Sequence, residues 1–300
     1  MTMEDFEMQS LLSHCMVCPR ACGANRAAGE RGVCGADDTL RVARAALHFW
    51  EEPPISGETG SGTVFFSNCP LRCVYCQNAP IARGSVGASA SIRRLARIFL
   101  ELQEQGALNI NLVTATHYVL QVLQALPIAR ASGLTIPIVY NTSGYETPQT
   151  LQLLDGIVDT YLTDFRYMSA SLAQKFSHAS DYPAVAQQAL ASMAAQDAHI
   201  IVRILLLPGH FDEAKAAVHY LYKTYGSRIR LSLMNQYTPV GTHHAYPELD
   251  RRVAPKEYEE LLDFADSLGC DDYFWQEADT AQESFIPDFE SLAGVLGPEL

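Results

Sequence analysis

Three cysteines at a CxxxCxxC spacing carry the clearest chemical signal in this 300-residue sequence. Cys69, Cys73 and Cys76 follow directly after a short apolar run, so their sulfurs share one short loop. Soft thiolate ligands suit Fe–S clusters and zinc alike. A closed structural zinc site takes four ligands, and the fourth would have to come from elsewhere, for example from Cys270. A [4Fe–4S] cluster held by three cysteines instead leaves one iron open to a substrate or cosubstrate.

A second group of four cysteines lies nearer the N-terminus, in a Gly-rich stretch with little apolar mass: Cys15, Cys18, Cys22 and Cys34. Because such a stretch buries little surface, we expect a metal bound by the four sulfurs to supply folding energy. The Cys-x2-Cys start fits zinc, and four cysteines fit a second Fe–S cluster equally well. The arginines around them can offset thiolate charge, face an acidic partner or simply be solvated. They are Arg20, Arg26, Arg31, Arg41 and Arg44.

The composition and charge of the chain limit its partners and its compartment. Hydrophobic residues make up 48% of the chain and charged residues 18%, against a usual charged share of about a quarter. A formal net charge of −13 argues against nucleic acid as a partner, because it repels a phosphate backbone. No apolar stretch reaches the roughly 18 residues that cross a bilayer, and no secretory leader opens the chain. The sequence therefore predicts a cytoplasmic protein without a membrane partner, whose clustered thiols stay reduced.

Short apolar runs alternate with stretches of helical period beyond residue 62. The helical pattern is clearest between Ser91 and Gly106, between Asp212 and Gly226, and from Pro255 to Gly269. Alternating strands and helices indicate an α/β protein with a parallel sheet. We expect a partial (β/α)6-type parallel barrel. Its predicted strands are 63–67, 109–113, 136–140, 158–163, 200–206 and 230–234.

Two units are predicted, and the Pro/Gly/Ser run at 53–62 forms the boundary loop between them. Residues 1–62 make a small Cys-rich metal-binding segment, and residues 63–300 make the barrel. The aromatic-rich residues at 273–275 and 285–289 are expected to cover the barrel rather than to bind substrate.

Polar side chains follow the predicted strands where they end, which is the edge of a parallel sheet that carries the chemistry. We therefore expect these side chains to share one rim with the cysteine loop. They are Thr114, Thr116, His117, Asn141, Ser143, Asp164, Arg166, Asn235 and Gln236.

The cysteine motif resembles that of the radical S-adenosylmethionine superfamily, in which CxxxCxxC with an aromatic residue before its last cysteine follows the first barrel strand. The resemblance implies that Cys69, Cys73 and Cys76 bind a [4Fe–4S] cluster and that Tyr75 packs against adenine. It also implies that S-adenosylmethionine is chelated to the open iron and cleaved reductively, releasing a 5′-deoxyadenosyl radical. The protein is then expected to be an oxidoreductase.

Four further segments resemble proteins related to pyruvate formate-lyase-activating enzyme, and with 15–35 they extend the similarity over nearly the whole chain. They are 108–117, 139–146, 161–167 and 233–239.

The sequence departs from the true activating enzymes after the second predicted strand. Those enzymes place a Gly-Gly-Glu-type turn there, which helps to hold the methionine amino group, whereas this chain has Thr114-Ala115-Thr116-His117. We expect the hydroxyls of Thr114 and Thr116 to accept that hydrogen bond and His117 to serve near the substrate. An alternative for His117 is that it simply begins the next helix.

Asp164-Phe165-Arg166 stands at the place of an Asp-x-Lys motif of the activating enzymes. The resemblance implies a monovalent cation at Asp164, and Arg166 keeps the positive charge as a planar fork. We expect both residues and Arg203 to contact cosubstrate or substrate. A turn cap at Asp164 and a structural ion pair at Arg203 are the alternatives. The remaining rim residues assigned to cofactor binding are Asn141, Ser143, Asn235 and Gln236.

Three functions remain open at the level of sequence. The first is abstraction of hydrogen from a glycine of a partner enzyme, as in a glycyl-radical activase, with electrons from a protein such as flavodoxin or ferredoxin. The second is radical chemistry on a small molecule or peptide. The third is a non-catalytic Fe–S electron carrier, which needs no substrate cavity.

Overall fold

A single nine-stranded sheet forms the centre of the computed structural model, which describes residues 10–240, 245–276 and 287–300. The strand order across the sheet is β3-β1-β2-β4-β5-β6-β7-β8-β9. Every neighbouring pair from β2 to β9 is parallel, whereas β1 pairs antiparallel with both β2 and β3. The strands are β1 (Arg41–His48), β2 (Ser61–Phe66), β3 (Ala88–Ser89), β4 (Ile110–Val113), β5 (Ile138–Thr142), β6 (Thr160–Asp164), β7 (His199–Leu205), β8 (Arg230–Met234) and β9 (Tyr273–Phe274).

The predicted α/β architecture is confirmed, and each of the six predicted strands has a counterpart in β2 and β4 to β8. Strands β2 and β5 are buried along their whole length, as expected for parallel strands covered on both faces. No pairing joins β3 to β9 within the described residues, so the sheet there is open.

Helices connect the parallel strands, and their ends follow the predicted signals. Ser91 caps its helix by accepting a hydrogen bond from the Arg94 amide. None of the helices among the described residues is long and apolar enough to cross a membrane. The helices are α1 (Pro53–Ser56), α2 (Ala79–Ala82), α3 (Ile92–Glu104), α4 (Val119–Ala131), α5 (Pro148–Leu153), α6 (Ala170–Ser177), α7 (Tyr182–Met193), α8 (Phe211–Tyr225) and α9 (Pro255–Ser267).

The sheet continues across the predicted boundary at residue 62, because β1 pairs with β2 over most of its length. Part of the stretch expected to be a boundary loop is buried, whereas Pro53, Pro54 and residues 57–59 are exposed. Ile55 of α1 is 3% exposed and packs in one apolar cluster with Val139, Leu162 and Ile201. The Pro/Gly/Ser composition predicted the turn at 57–59 but not the burial of Ile55 and Ser56, because that burial depends on strands that are distant in sequence.

The C-terminal residues cover one edge of the sheet. The Phe289 ring meets the Phe65 ring edge-on at a centroid distance of 5.2 Å, and the amide of Ala45 in β1 donates to the carbonyl of Ala293. Tyr273 and Phe274 form strand β9 and belong to the sheet itself rather than to a cover. The predicted cover residues 285 and 286 lie outside the described residues.

Candidate functional site

A cavity of about 320 Å³ lies at the carboxyl ends of the parallel strands, against the CxxxCxxC loop. Phe65 of β2 and Met234 of β8 both line it, although these strands are five spacings apart in the sheet. In a flat sheet that separation would be about 24 Å, so the sheet curves around the cavity. The predicted site residues that line it are Cys69, Cys73, Tyr75, Cys76, Thr114, Asn141, Ser143, Asp164, Arg166, Arg203 and Gln236.

The loop that carries Cys69, Cys73 and Cys76 is held by backbone contacts to two other elements. The amide of Asn68 donates to the Ile81 carbonyl in α2, and the amide of Val74 donates to the Phe176 carbonyl in α6. Asn68 and Arg72 have positive φ angles of 76° and 53°, a conformation uncommon for residues other than glycine. This strained backbone belongs to the turn that presents the sulfurs to the cavity.

The three thiols of the loop are free, largely buried and electrostatically coupled to one another. Burial and the neighbouring sulfurs raise the pKa of Cys76 to about 12 and also raise the pKa of Cys69. A bound metal lowers these pKa values again, because it deprotonates a thiol that coordinates it. The donor set therefore fits a soft metal centre.

Within the described part of the chain, no three His, Cys, Asp or Glu side chains are arranged to hold a single metal ion. An Fe–S cluster takes its thiolates on different iron atoms, so its cysteines stand further apart than those that share one ion.

Tyr75 connects the cysteine loop to the floor of the cavity. Its ring packs edge-on against Phe176 and Tyr237, and its hydroxyl lies 2.7 Å from the Tyr167 hydroxyl. Arg166 donates to the same Tyr75 oxygen at 3.3 Å. Tyr75 therefore lines the cavity, and hydrogen bonds hold its hydroxyl inside the protein.

A buried ion-pair network forms the floor. Arg203 donates to Asp164 at 2.8 Å, to Asn141 at 2.6 Å and to Glu51 at 3.2 Å, and Arg166 also donates to Asp164. Burial by itself raises the pKa of Asp164, but Arg203 and Arg166 outweigh it and hold that pKa below its ordinary value. Asp164 is therefore a partner of two arginines rather than a turn cap, and Arg203 lies in an ion pair on the cavity wall.

Glu51 belongs to this floor and the buried Glu52 follows it in the chain; neither was predicted from the sequence. Glu51 accepts hydrogen bonds from Asn111 and Asn141, each at 3.2 Å, and burial raises the pKa of Glu51 and of Glu52. The available signal was two adjacent carboxylates directly before Pro53-Pro54, in a stretch with few other charges. Their function in the fold is to compensate Arg203.

Thr114 directly follows β4 and lines the cavity, and its φ angle is 59°. A β-branched residue in the left-handed region is a genuine outlier, and such strain clusters at functional sites. The Thr114 amide donates to the Asn141 carbonyl at 2.9 Å, which fixes this conformation.

Three predicted residues do not line the cavity. Thr116 is buried and donates to Glu146 at 2.6 Å. His117 is 2% exposed, with Nε2 2.7 Å from the Ser67 carbonyl oxygen, and burial lowers its pKa to about 3. A neutral histidine enclosed behind the strand ends has no access to a substrate in the cavity. Asn235 presents its backbone amide to the side chain of Gln276.

The four N-terminal cysteines form a separate group behind the cysteine loop. Cys34 is electrostatically coupled to Cys15 and Cys22, and Cys18 to Cys34 and Cys15. Burial raises the pKa of Cys18 to about 12. The fully buried guanidinium of Arg26 lies 3.9 Å from the Cys15 sulfur and donates to the Asp37 carbonyl. Its charge lies where it can offset thiolates.

Two arginines dock the two cysteine groups against each other. Arg20 donates to the carbonyl of Pro70 in the loop at 2.9 Å and to the carbonyl of Ser177 at 3.0 Å. In the other direction, Arg72 of the loop donates to the Cys34 carbonyl at 2.9 Å. Arg20 therefore has a structural partner set and is not a solvated surface charge.

Comparison with known proteins gives a fold and a distant relative. No family model matches the chain. It is 26% identical over 273 residues to the uncharacterized protein MJ0674 of Methanocaldococcus jannaschii, covering 88% of this chain and 77% of that protein. Its structure resembles that of Streptococcus suis SuiB bound to S-adenosylmethionine, with a TM-score of 0.54 and 13% identity over 71% of this chain. That match spans 49% of the SuiB chain, so it establishes a shared fold only.

The Glu146 carboxyl generates a prediction about stability and pH. It accepts from Thr116, Thr142 and Tyr140 through one oxygen, while the other oxygen is buried and has no hydrogen-bond partner among the residues that the structure describes. Burial raises its pKa from 4.5 to about 7. The folded protein therefore holds a proton that the unfolded chain releases, and this stabilisation is lost as pH rises from about 4.5 through 7.

The Glu146→Gln variant lacks this titration and should lose less stability on going from pH 4 to pH 8. The difference from wild type amounts to about 3 kcal/mol, from roughly 1.4 kcal/mol per pKa unit. Urea unfolding at several pH values measures it. The exposed Glu58→Gln variant is the control and should follow the wild-type curve. Parallel curves for wild type and Glu146→Gln would contradict the assignment.

Proposed function

We propose that the protein is a radical S-adenosylmethionine enzyme. The observation that carries the proposal is the placement of three free cysteines on one strained loop, facing a cavity at the carboxyl ends of a parallel sheet. The similarity in fold to SuiB bound to S-adenosylmethionine supports it, as does the resemblance of the CxxxCxxC motif to that superfamily.

Cys69, Cys73 and Cys76 are the residues that would hold a [4Fe–4S] cluster. When bound, such a cluster chelates the methionine part of S-adenosylmethionine at its open iron and supplies the electron for reductive cleavage to a 5′-deoxyadenosyl radical. The protein contributes a buried, shaped site around this chemistry, which keeps water from the reacting groups.

Two buried atoms on the cavity wall lack hydrogen-bond partners among the described residues, namely Arg166 Nε and Asn78 Oδ1. One is a donor and the other an acceptor, and buried polar atoms in native proteins are nearly always paired. A zwitterionic cosubstrate in the cavity offers a carboxylate to the Arg166 side chain and an amino group to the Asn78 side chain. Ser143, Thr114 and Gln236 provide further polar groups on the same wall.

For the hydrogen donor, we propose a glycine of a partner enzyme, as the resemblance to activating-enzyme-related proteins implies. A reductant protein such as flavodoxin or ferredoxin and a cytoplasmic location belong to the same proposal. A small-molecule or peptide substrate is the second candidate. It is favoured by Thr114-Ala115-Thr116-His117, which stands in place of the Gly-Gly-Glu-type turn of the activating enzymes. Either substrate would meet the site at its cavity of about 320 Å³. A pure electron carrier fits less well, because it requires no such cavity.

The N-terminal cysteines are proposed to bind a second metal centre, either zinc or an Fe–S cluster. Three buried thiols with the partly exposed Cys22 beside them and the adjacent Arg26 guanidinium support this, since a tetrathiolate centre carries negative charge that a buried cation compensates. The monovalent cation that the resemblance implies at Asp164 does not fit this site, because both oxygens of that carboxylate accept hydrogen bonds from arginines and the two guanidinium charges repel a cation.

Reductive cleavage is the first prediction of this proposal. The protein reconstituted anaerobically with iron and sulfide, reduced and mixed with S-adenosylmethionine, should form 5′-deoxyadenosine, measured by mass spectrometry. Cys73→Ala should form none, and replacing Cys69, Cys73 and Cys76 together by Ala should remove the iron of this site. Cys270→Ala removes a buried cysteine outside the loop and is the matched control. Unchanged iron content in the triple variant would refute the assignment.

The N-terminal metal makes an independent prediction. Cys22→Ala and Cys34→Ala should each lose the second centre, because removing one thiolate of four leaves an incomplete ligand set. Zinc, iron and sulfide analysis of the purified variants measures the loss and identifies the metal. Iron at the cysteine loop should persist. Metal contents equal to wild type in both variants would show that these cysteines hold no metal.

The substrate class can be tested with a glycyl-radical-type enzyme as partner. We expect a complex in a pull-down and, after reaction, an electron paramagnetic resonance signal from a glycine-centred radical. A partner whose acceptor glycine is replaced by Ala is the control and should bind without forming the radical. Formation of 5′-deoxyadenosine without any complex or protein radical would favour the small-molecule candidate.

A further inference from the structure

A continuous chain of hydrogen bonds connects the Arg166 guanidinium to the sulfur of Cys73. Arg166 donates to the Tyr75 hydroxyl oxygen at 3.3 Å, which lies 2.7 Å from the Tyr167 hydroxyl. The Tyr167 hydroxyl lies 2.7 Å from the Ser177 hydroxyl, and that oxygen lies 2.9 Å from the Cys73 sulfur. None of these contacts was expected from the sequence, in which Ser177 is separated from Cys73 by 104 positions.

The two ends of the chain determine the direction of every bond in it. A guanidinium can only donate, and a thiolate can only accept. Tyr75 therefore accepts from Arg166 and donates to Tyr167, Tyr167 donates to Ser177, and Ser177 donates to the Cys73 thiolate. Bonds aligned in one direction polarise one another, so the positive charge of Arg166 strengthens the last donor.

The last donor is fixed in place by its surroundings. Ser177 and Tyr167 are fully buried, and Ser177 is the final residue of α6. The carbonyls at this helix end accept from the loop through the amide of Val74 and from the N-terminal segment through Arg20. The Ser177 hydroxyl consequently has little freedom to turn away from the sulfur.

Cys73 differs in this respect from the other two cysteines of the loop. The backbone amides of Arg72 and Leu71 near Cys69, and of Asn78 near Cys76, only partly offset the burial that raises the pKa of these two thiols. Cys73 is the loop sulfur that receives a side-chain hydroxyl. A point mutation can therefore remove this one hydrogen bond without altering the ligand set.

We propose that Ser177 is a positioning residue that tunes the metal centre bound through Cys73. A hydrogen bond to a ligating sulfur withdraws charge from it, and this is one of the factors that set the potential of an Fe–S cluster. The hydroxyl of Ser177 makes the centre easier to reduce. Tyr167 and Tyr75 act through Ser177. This inference rests on the proposed function, because it requires the cluster at Cys69, Cys73 and Cys76.

The test is a redox titration of the reconstituted protein, monitored by electron paramagnetic resonance. Ser177→Ala should keep the wild-type iron and sulfide content but shift the midpoint potential to a more negative value. We expect about a tenfold change in the reduction equilibrium, which corresponds to about 59 mV for one electron. Tyr167→Phe keeps the last donor but removes its polarisation, and should shift the potential in the same direction by less.

Ser67→Ala is the matched control, because its buried hydroxyl bonds to the Val86 carbonyl and no cysteine. Its potential should equal that of wild type. An unchanged potential in Ser177→Ala with a full cluster would overturn this inference and leave the proposed function intact. Absence of any cluster in the wild-type protein would instead reject the proposed function, so the two failures are distinguishable.

Discussion

The charge of Arg203 inside the curved sheet is the constraint on which the rest of the site depends. A buried guanidinium is tolerated only when it is paired and hydrogen-bonded, and Arg203 finds its partners on β5, on β6 and in the segment after β1. Asp164, one of these partners, also binds Arg166, which reaches the Tyr75 hydroxyl. The position of the cysteine loop's aromatic residue is therefore coupled to a charge in the middle of the sheet.

The same coupling extends to the outer side of the loop. Arg20 binds the Pro70 carbonyl from the N-terminal segment, and Arg72 binds the Cys34 carbonyl from the loop. Each arginine donates to a backbone carbonyl, so these hydrogen bonds fix the main chain of the segment that carries the carbonyl. These contacts hold the two cysteine groups in a fixed position relative to each other.

The loop sulfurs lie between these two sets of interactions, and their surroundings are unequal. Backbone amides partly offset the effect of burial on the pKa of Cys69 and Cys76. The Cys73 sulfur instead lies 2.9 Å from the hydroxyl of Ser177, at the end of a helix that is distant in sequence. The spacing of the thiols in the motif does not reveal this difference. It arises because the last turn of α6 packs on the loop, where the amide of Val74 donates to the Phe176 carbonyl.

The sequence by itself determined the six parallel strands, the helix caps and the cysteine loop, because strand periodicity, capping chemistry and ligand spacing are local properties. It also placed Asp164, Asn141 and Ser143 at the correct edge of the sheet, since strand ends converge in any parallel sheet. Tertiary structure alone decided that Ile55 and Ser56 are core and that Glu51 compensates Arg203. The left-handed turn at Thr114 leads into a short helical turn in which Thr116 and His117 are enclosed. These outcomes depend on pairings between residues far apart in the chain, and no local pattern encodes them.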